Sequence, residues 1–168
     1  HRVVRRQRQM CRRDRLGGGS LLDIGIYPVF AALSTLGVPS DIKALATFSP
    51  TGTEEGIAFT FRYPGGELAS LFSSLGAYSF VTTDFCCERG IVKLGRRWKG
   101  LTTVTLWKEG GAEENFSFHA EGFGYQHEAA HVMKCLAKGK TESDLMPLDF
   151  SLTMMETLAR IRQEPGII

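Results

Sequence analysis

"GGGSLLDIGIYPVF", Gly17–Phe30, decides how the rest of the chain is read. Three glycines and a serine have the composition of a loose linker, yet an apolar helix begins at once. Ser20 followed three residues later by Asp23 approximates a capping box, with the acid near the positive end of the helix dipole. Gly37 and Pro39 supply a stop. Between these signals apolar residues cover almost the whole circumference, which predicts a helix covered on more than one side. Pro28 removes the hydrogen bond to the Ile24 carbonyl and predicts a bend. Asp23 and Tyr27, four residues apart, share one face of this helix, where packing needs neither.

Beyond Pro39 the pattern changes from period 3.6 to period 2. "DIKALATFS" places Ile42, Ala44, Ala46 and Phe48 on one side, and "GIAFTFRY" alternates Ile57, Phe59, Phe61 and Tyr63 with Ala58, Thr60 and Arg62. "PGG" then turns the chain into "ELASLFSSL", a hairpin. "AYSFVTTDFCC", "GIVKLG", "LTTVTLW" and "NFSFH" continue as short strands split by glycine turns. Two helices close the chain. "YQHEAAHVMKCLAKG" carries Ala129, Val132, Met133 and Leu136 at helical spacing, and "PLDFSLTMMETLARIRQ" carries Leu148, Leu152, Met155 and Leu158. One helix, a run of strands and two helices predict an α+β fold: an open, mostly antiparallel sheet with helices packed on one face. The other face then needs cover, and a partner sheet or subunit is the expected occupant.

Composition narrows the class. With 168 residues, 43% hydrophobic and 10% aromatic, the chain can bury one real core. Its apolar runs are too short to span a bilayer, and no signal-peptide pattern opens it. The formal charge of +2 hides an asymmetry. "HRVVRRQRQMCRRDR", residues 1–15, holds seven arginines and one acid; the remainder carries 13 basic and 17 acidic residues, a net of −4. No aromatic residue interleaves those arginines, so the arm reads as a poorly ordered connector rather than a nucleic-acid tail. The chain opens on His1 rather than Met, which suggests a fragment or processed chain. Cys11, Cys86, Cys87 and Cys135 form neither a disulfide framework nor a zinc ribbon, and the expected setting is a reducing cytoplasm.

His127-Glu128-Ala129-Ala130-His131 matches H-E-x-x-H on a helix, the pattern of a zinc hydrolase. Lys134 and Lys138 share the histidine face and repel a divalent cation, Lys134 stands where the extended pattern wants glycine, and no later histidine exists. No metal site is assigned. Nor does any G-x-G-x-x-G, G-x-x-x-x-G-K-[ST] or G-x-S-x-G occur, so nothing here cradles a nucleotide phosphate by itself.

The Asp23–Tyr27 pair has two readings. In one, Asp23 caps the helix and Tyr27 is a core aromatic with a satisfied hydroxyl. In the other they are a proton-transfer pair at the mouth of a cleft, with a cation from elsewhere stabilising the phenolate. "GGGSLLDIGIYPVFAALSTLG" resembles the stretch that opens the C-terminal domain of the glucose–fructose oxidoreductase and inositol dehydrogenase (Gfo/Idh/MocA) family, nearest its dimeric dihydrodiol dehydrogenase branch. "TGTEEG", "YPGGELASLFSS", "GYQHEAAHVMKCLAKGKTES" and "MPLDFSLTMMETLARIRQEPGI" continue the resemblance in order. It runs from Leu16 onward and leaves out the arm. It implies a glyceraldehyde-3-phosphate dehydrogenase-like fold over residues 16–168, a substrate-binding and dimerisation domain whose N-terminal Rossmann partner, holder of NAD or NADP, is absent from the chain. In that branch tyrosine replaces the histidine four residues after the aspartate, which matches Asp23 and Tyr27. The resemblance therefore implies that Tyr27 transfers the substrate hydroxyl proton beside a lysine of the Rossmann domain, that Asp23 orients the substrate or the pair, and that Tyr125 approaches the nicotinamide amide. It further implies a small sugar, polyol or dihydrodiol substrate, a homodimer or larger assembly through the sheet face, and neither membrane nor nucleic acid as partner. The residues alone also leave room for a stand-alone dimerisation or nucleic-acid module and, less favoured, for a zinc hydrolase on His127 and His131.

Overall fold

The computed structural model describes residues 18–96, 98, 102–118, 122 and 124–167; the arginine-rich arm lies outside them. The chain divides into two compact units. One runs through Tyr78 and resumes at Met146, and the other spans Ser79–Leu145.

The first unit opens with a π-turn, Leu21–Gly25, that continues as α1, Ile26–Leu36. Strands β1 (Asp41–Phe48), β2 (Glu54–Arg62) and β3 (Leu68–Ser74) follow as an antiparallel sheet in that order, and the closing helix α3 (Leu148–Arg162) completes the unit. The helices cover one sheet face. Ile42, Ala44, Ile57, Phe59, Phe61 and Tyr63 turn inward to meet Leu21, Val29, Ala32 and Leu33 from the first helix and Leu158 and Ile161 from α3. Each large apolar side chain buried here contributes about 1.5–3 kcal/mol. Phe30 of α1 meets Phe150 of α3 edge-on, ring centroids 5.7 Å apart. Arg160 donates to the carbonyl oxygens of Pro39 at 3.0 Å and Ser40 at 3.4 Å, tying α3 to the start of β1.

Several expectations hold, and several are corrected. The turn after Tyr63 is a hairpin, with the Tyr63 N–H donating to Glu67 O at 3.0 Å and Gly66 at φ +95°. Gly37 ends α1 at φ +78°, its N–H on Leu33 O. Ser20, by contrast, is no cap. It has helical backbone angles, and its hydroxyl donates across the interior to Ser73 Oγ of β3 at 2.8 Å. Phe48 follows a register shift at the Thr47/Phe48 step and is half-exposed rather than inward. On α3 the buried stripe is Phe150, Met154, Thr157, Leu158 and Ile161, while Leu148, Leu152 and Met155 face outward. Two neighbouring apolar stripes of the same period compete there, and the sheet takes the one that includes Phe150.

The second unit holds β4 (Thr83–Cys87), β5 (Gly90–Leu94), β6 (Thr102–Lys108) and β7 (Glu114–Phe118), an antiparallel sheet in chain order, followed by α2 (Tyr125–Ala137). The strands therefore form two sheets, and "AYSFV" ahead of β4 is irregular, with Val81 at φ +51°. Register aligns Phe85, Val92 and Leu106 across one face, beside Leu94, Val104 and Phe116. Among the described residues of this unit none is fully buried; Val132, Met133 and Leu136 of α2 are exposed.

Candidate active site

Asp23 and Tyr27 straddle the junction between the π-turn and α1, one turn apart on the side of the helix that neither the sheet nor α3 covers. Tyr27, the second residue of α1, is 39% exposed. The aspartate N–H still reaches back to Gly19 O at 3.2 Å. The wider winding relieves a local conflict. Pro28 offers no N–H to the Ile24 carbonyl, and its ring would crowd that oxygen in a regular α-helix. Single π-turns of this kind recur at functional sites.

Buried contacts fix the turn from below. Ser20 Oγ donates to Ser73 Oγ at 2.8 Å, and the Ser73 hydroxyl donates to the Ser20 carbonyl at 3.3 Å, a closed pair in the interior. Gly25 lies against the same strand: a Cβ there would sit 3.0 Å from Ser73 Oγ and 3.1 Å from Leu21 Cδ1. Gly19 has φ +130°, and a Cβ on it would fall 2.1 Å from Glu54 Oε1. The glycines thus serve close approach rather than looseness. Glu54, 7% exposed, fills the space beside Gly19.

Sequence reasoning missed Ser73, Gly25 and Glu54 as the supports of the pair. Gly25 gave a signal, since a glycine inside an apolar helix costs about 1 kcal/mol against alanine and asks for a packing reason. Tyr125 stands in the other unit. It is the first residue of α2, follows Gly124 at φ +88° and is 72% exposed. Among the described residues no group of three or more His, Cys, Asp or Glu side chains could hold a metal ion. His131 Nε2 instead meets Ser143 Oγ at 2.7 Å, while His127 is exposed.

A phenol and a carboxylate on a half-open flank, set on a buried hydrogen-bonded turn, can accept or donate protons at a hydroxyl or carbonyl group. Known proteins place the chain that carries it. The family model described as the GFO/IDH/MocA C-terminal domain matches residues 1–93, more than half of the chain. The chain belongs to the GFO/IDH/MocA family. The match begins at His1 and so takes in the arginine-rich arm that the sequence resemblance left out. A trans-1,2-dihydrobenzene-1,2-diol dehydrogenase of Oryctolagus cuniculus is 32% identical over 158 residues, covering 89% of this chain and 48% of the relative. One from Xenopus laevis is 34% identical over 157 residues, covering 89% and 46%. The chain thus spans about half the length of the curated relatives it matches. An aldose–aldose oxidoreductase from Caulobacter crescentus shares the fold with a TM-score of 0.75 at 22% identity, over 92% of this chain and 49% of that one. A 3-ketoreductase from Actinomadura kijaniata, solved with TDP-benzene and NADP, shares it with a TM-score of 0.74 at 20% identity, over 87% and 47%. These likenesses establish the α+β fold of the C-terminal domain. No helix among the described residues is long and apolar enough to cross a membrane.

Proposed function

We propose that this chain is the substrate-binding and dimerisation domain of an NAD(P)-dependent oxidoreductase acting on a sugar, polyol or dihydrodiol. The observation that carries the reading is the Asp23–Tyr27 pair, a phenol and a carboxylate held on the uncovered flank of the first helix by the buried Ser20–Ser73 contact. Membership of the family and likeness to dihydrodiol dehydrogenases support it.

The residues present fit one end of a dinucleotide reaction. Tyr27 and Asp23 suit a hydroxyl or carbonyl substrate, whereas a carboxylate at this turn would repel a diphosphate. The nucleotide would accordingly be held by a Rossmann domain of the same protein, and its nicotinamide would supply hydride chemistry at the substrate carbon. In reduction the Tyr27 phenol gives its proton to the forming hydroxyl, and in oxidation its phenolate, stabilised by a cation of the Rossmann domain, takes the proton back. Asp23 accepts a hydrogen bond from a substrate hydroxyl and sets its orientation. Tyr125, at the start of α2, is assigned to the nicotinamide amide. The reaction runs in the cytoplasm, in keeping with free thiols at Cys86, Cys87 and Cys135.

Two experiments test the assignment. The protein joined to its dinucleotide-binding domain, given a panel of trans-dihydrodiols, aldoses and polyols, should reduce NAD or NADP with at least one of them; silence across the panel with folded, cofactor-loaded protein counts against the reading. Calorimetry on the 168-residue chain alone should give no micromolar dinucleotide binding. Tight binding would move the cofactor onto this domain and overturn the division of labour.

A further inference from the structure

The H-E-x-x-H segment holds chemistry that the proposed reaction does not use. His131 and Cys135 stand four residues apart on α2, with Cys135 Sγ 3.4 Å from His131 Nε2. Ser143, in the loop beyond the helix, brings its Oγ within 2.7 Å of the same nitrogen and also accepts the Leu145 N–H at 3.0 Å. The loop folds back because the Lys140 N–H donates to the Cys135 carbonyl oxygen at 3.0 Å. The Lys140 ammonium pairs with Asp144. That hydrogen bond holds the lysine above its usual range, and the nearby Cys135 sulfur adds to the effect. Sulfur, imidazole and hydroxyl are all half-buried.

This is a nucleophile beside a base, and Ser143 Oγ shares the same ring nitrogen with the thiol. The other described thiols lack it: Cys86 and Cys87 are exposed, and Cys87 Sγ lies 3.9 Å from the Phe85 carbonyl oxygen. Packing does not explain the cluster, because α2 has no buried side chain among its residues. Lys134 and Lys138 add positive charge at the C-terminal end of the same helix, a setting in which partly exposed reactive cysteines are found.

We propose that Cys135 is a reactive thiol that exchanges with small anionic disulfides, with His131 as its base. The Sγ proton passes to His131 Nε2. The thiolate attacks one sulfur of the disulfide; the Cys135–sulfur bond forms as the original S–S bond breaks. The other half leaves as a thiolate and is protonated from His131 or solvent. Cys135 is oxidised, the incoming disulfide is reduced, and no further oxidant enters. The proposal is independent of the oxidoreductase reading and can be tested on this chain.

The probe is 5,5′-dithiobis(2-nitrobenzoate) below one equivalent, applied to the Cys11→Ser chain and followed by peptide mass mapping. Cys135 should be labelled first, about tenfold or more ahead of Cys86 and Cys87, as for other base-paired thiols. Glutathione disulfide should form its mixed disulfide at the same residue. His131→Asn should erase the advantage with helical circular dichroism unchanged. Should that variant lose helix, His131→Gln, with the better helix propensity, replaces it: loss of the Cys135 advantage supports the proposal, and its retention overturns it. First labelling at Cys86 or Cys87 overturns it as well.

Discussion

At the scale of single residues, the site depends on atoms that are absent. Gly25 gives up helix propensity so that the π-turn can touch β3, and Gly25→Ala sets two effects against each other. Alanine recovers about 1 kcal/mol of propensity. Its methyl must also enter a space with Ser73 Oγ at 3.0 Å and Leu21 Cδ1 at 3.1 Å, and overpacking costs about 1–3 kcal/mol. We expect the clash to win because both neighbours are in the interior, and Tm to fall by about 2–6 °C for a chain of this size. A Tm at or above wild type would show that the turn yields. Tyr63 offers a second test. It is 4% exposed, its hydroxyl has no hydrogen-bond partner among the described residues, and burial pushes its pKa up. The folded state therefore holds the phenol proton more tightly than the unfolded chain. That contribution is complete below about pH 10 and disappears as pH rises through the higher folded value. Tyr63→Phe should leave Tm at pH 7 equal or higher, since it removes an unpaired buried hydroxyl, and should flatten the loss of Tm above pH 10. An equally steep alkaline loss in the variant would assign it to other groups. Of these residue-level features, the sequence displays Asp23 and Tyr27 openly because they interrupt an apolar run. It conceals the Ser20–Ser73 contact, which joins positions 53 residues apart.

At the scale of elements, local pattern was a sound guide wherever one periodicity had one solution. The Pro64-Gly65-Gly66 hairpin and the alternation of Ile57, Phe59 and Phe61 were legible because a strand with one buried face admits one register. Legibility failed where two solutions compete. Ser20 followed by Asp23 looks like a cap, but the serine hydroxyl finds a stronger buried use on β3. The closing helix α3 carries two apolar stripes, and only the sheet chooses between them. The π-turn was not legible at all, because it arises from Pro28 within the helix together with glycines that fit only against β2 and β3. "AYSFVTTDFCC" has the aromatic and β-branched composition of a strand throughout, yet only Thr83–Cys87 pairs, and this separates the two sheets.

At the scale of the whole molecule, stability is uneven. The unit built on β1–β3 has the buried core, while the unit of β4–β7 and α2 has no fully buried side chain among its described residues. Hydrogen exchange at low protein concentration should therefore protect the amides of β1–β3 close to the global limit and release those of β4–β7 earlier. If a second copy covers the apolar row of Phe85, Val92 and Leu106, protection of β4–β7 should rise with concentration as sedimentation reports a dimer. Concentration-independent exchange with monomer throughout would argue against that interface. The central claim is that the uncovered flank of the first helix is where protons move, and Tyr27→Phe in the protein carrying its Rossmann domain addresses it most directly. The substitution removes one oxygen from a side chain that is already 39% exposed, so Tm and dinucleotide affinity should hold. Steady-state turnover should fall by about 10²–10⁴-fold, the usual scale of a lost general acid or base. Near-normal turnover together with a lowered Tm would contradict the account and leave Tyr27 a packing residue.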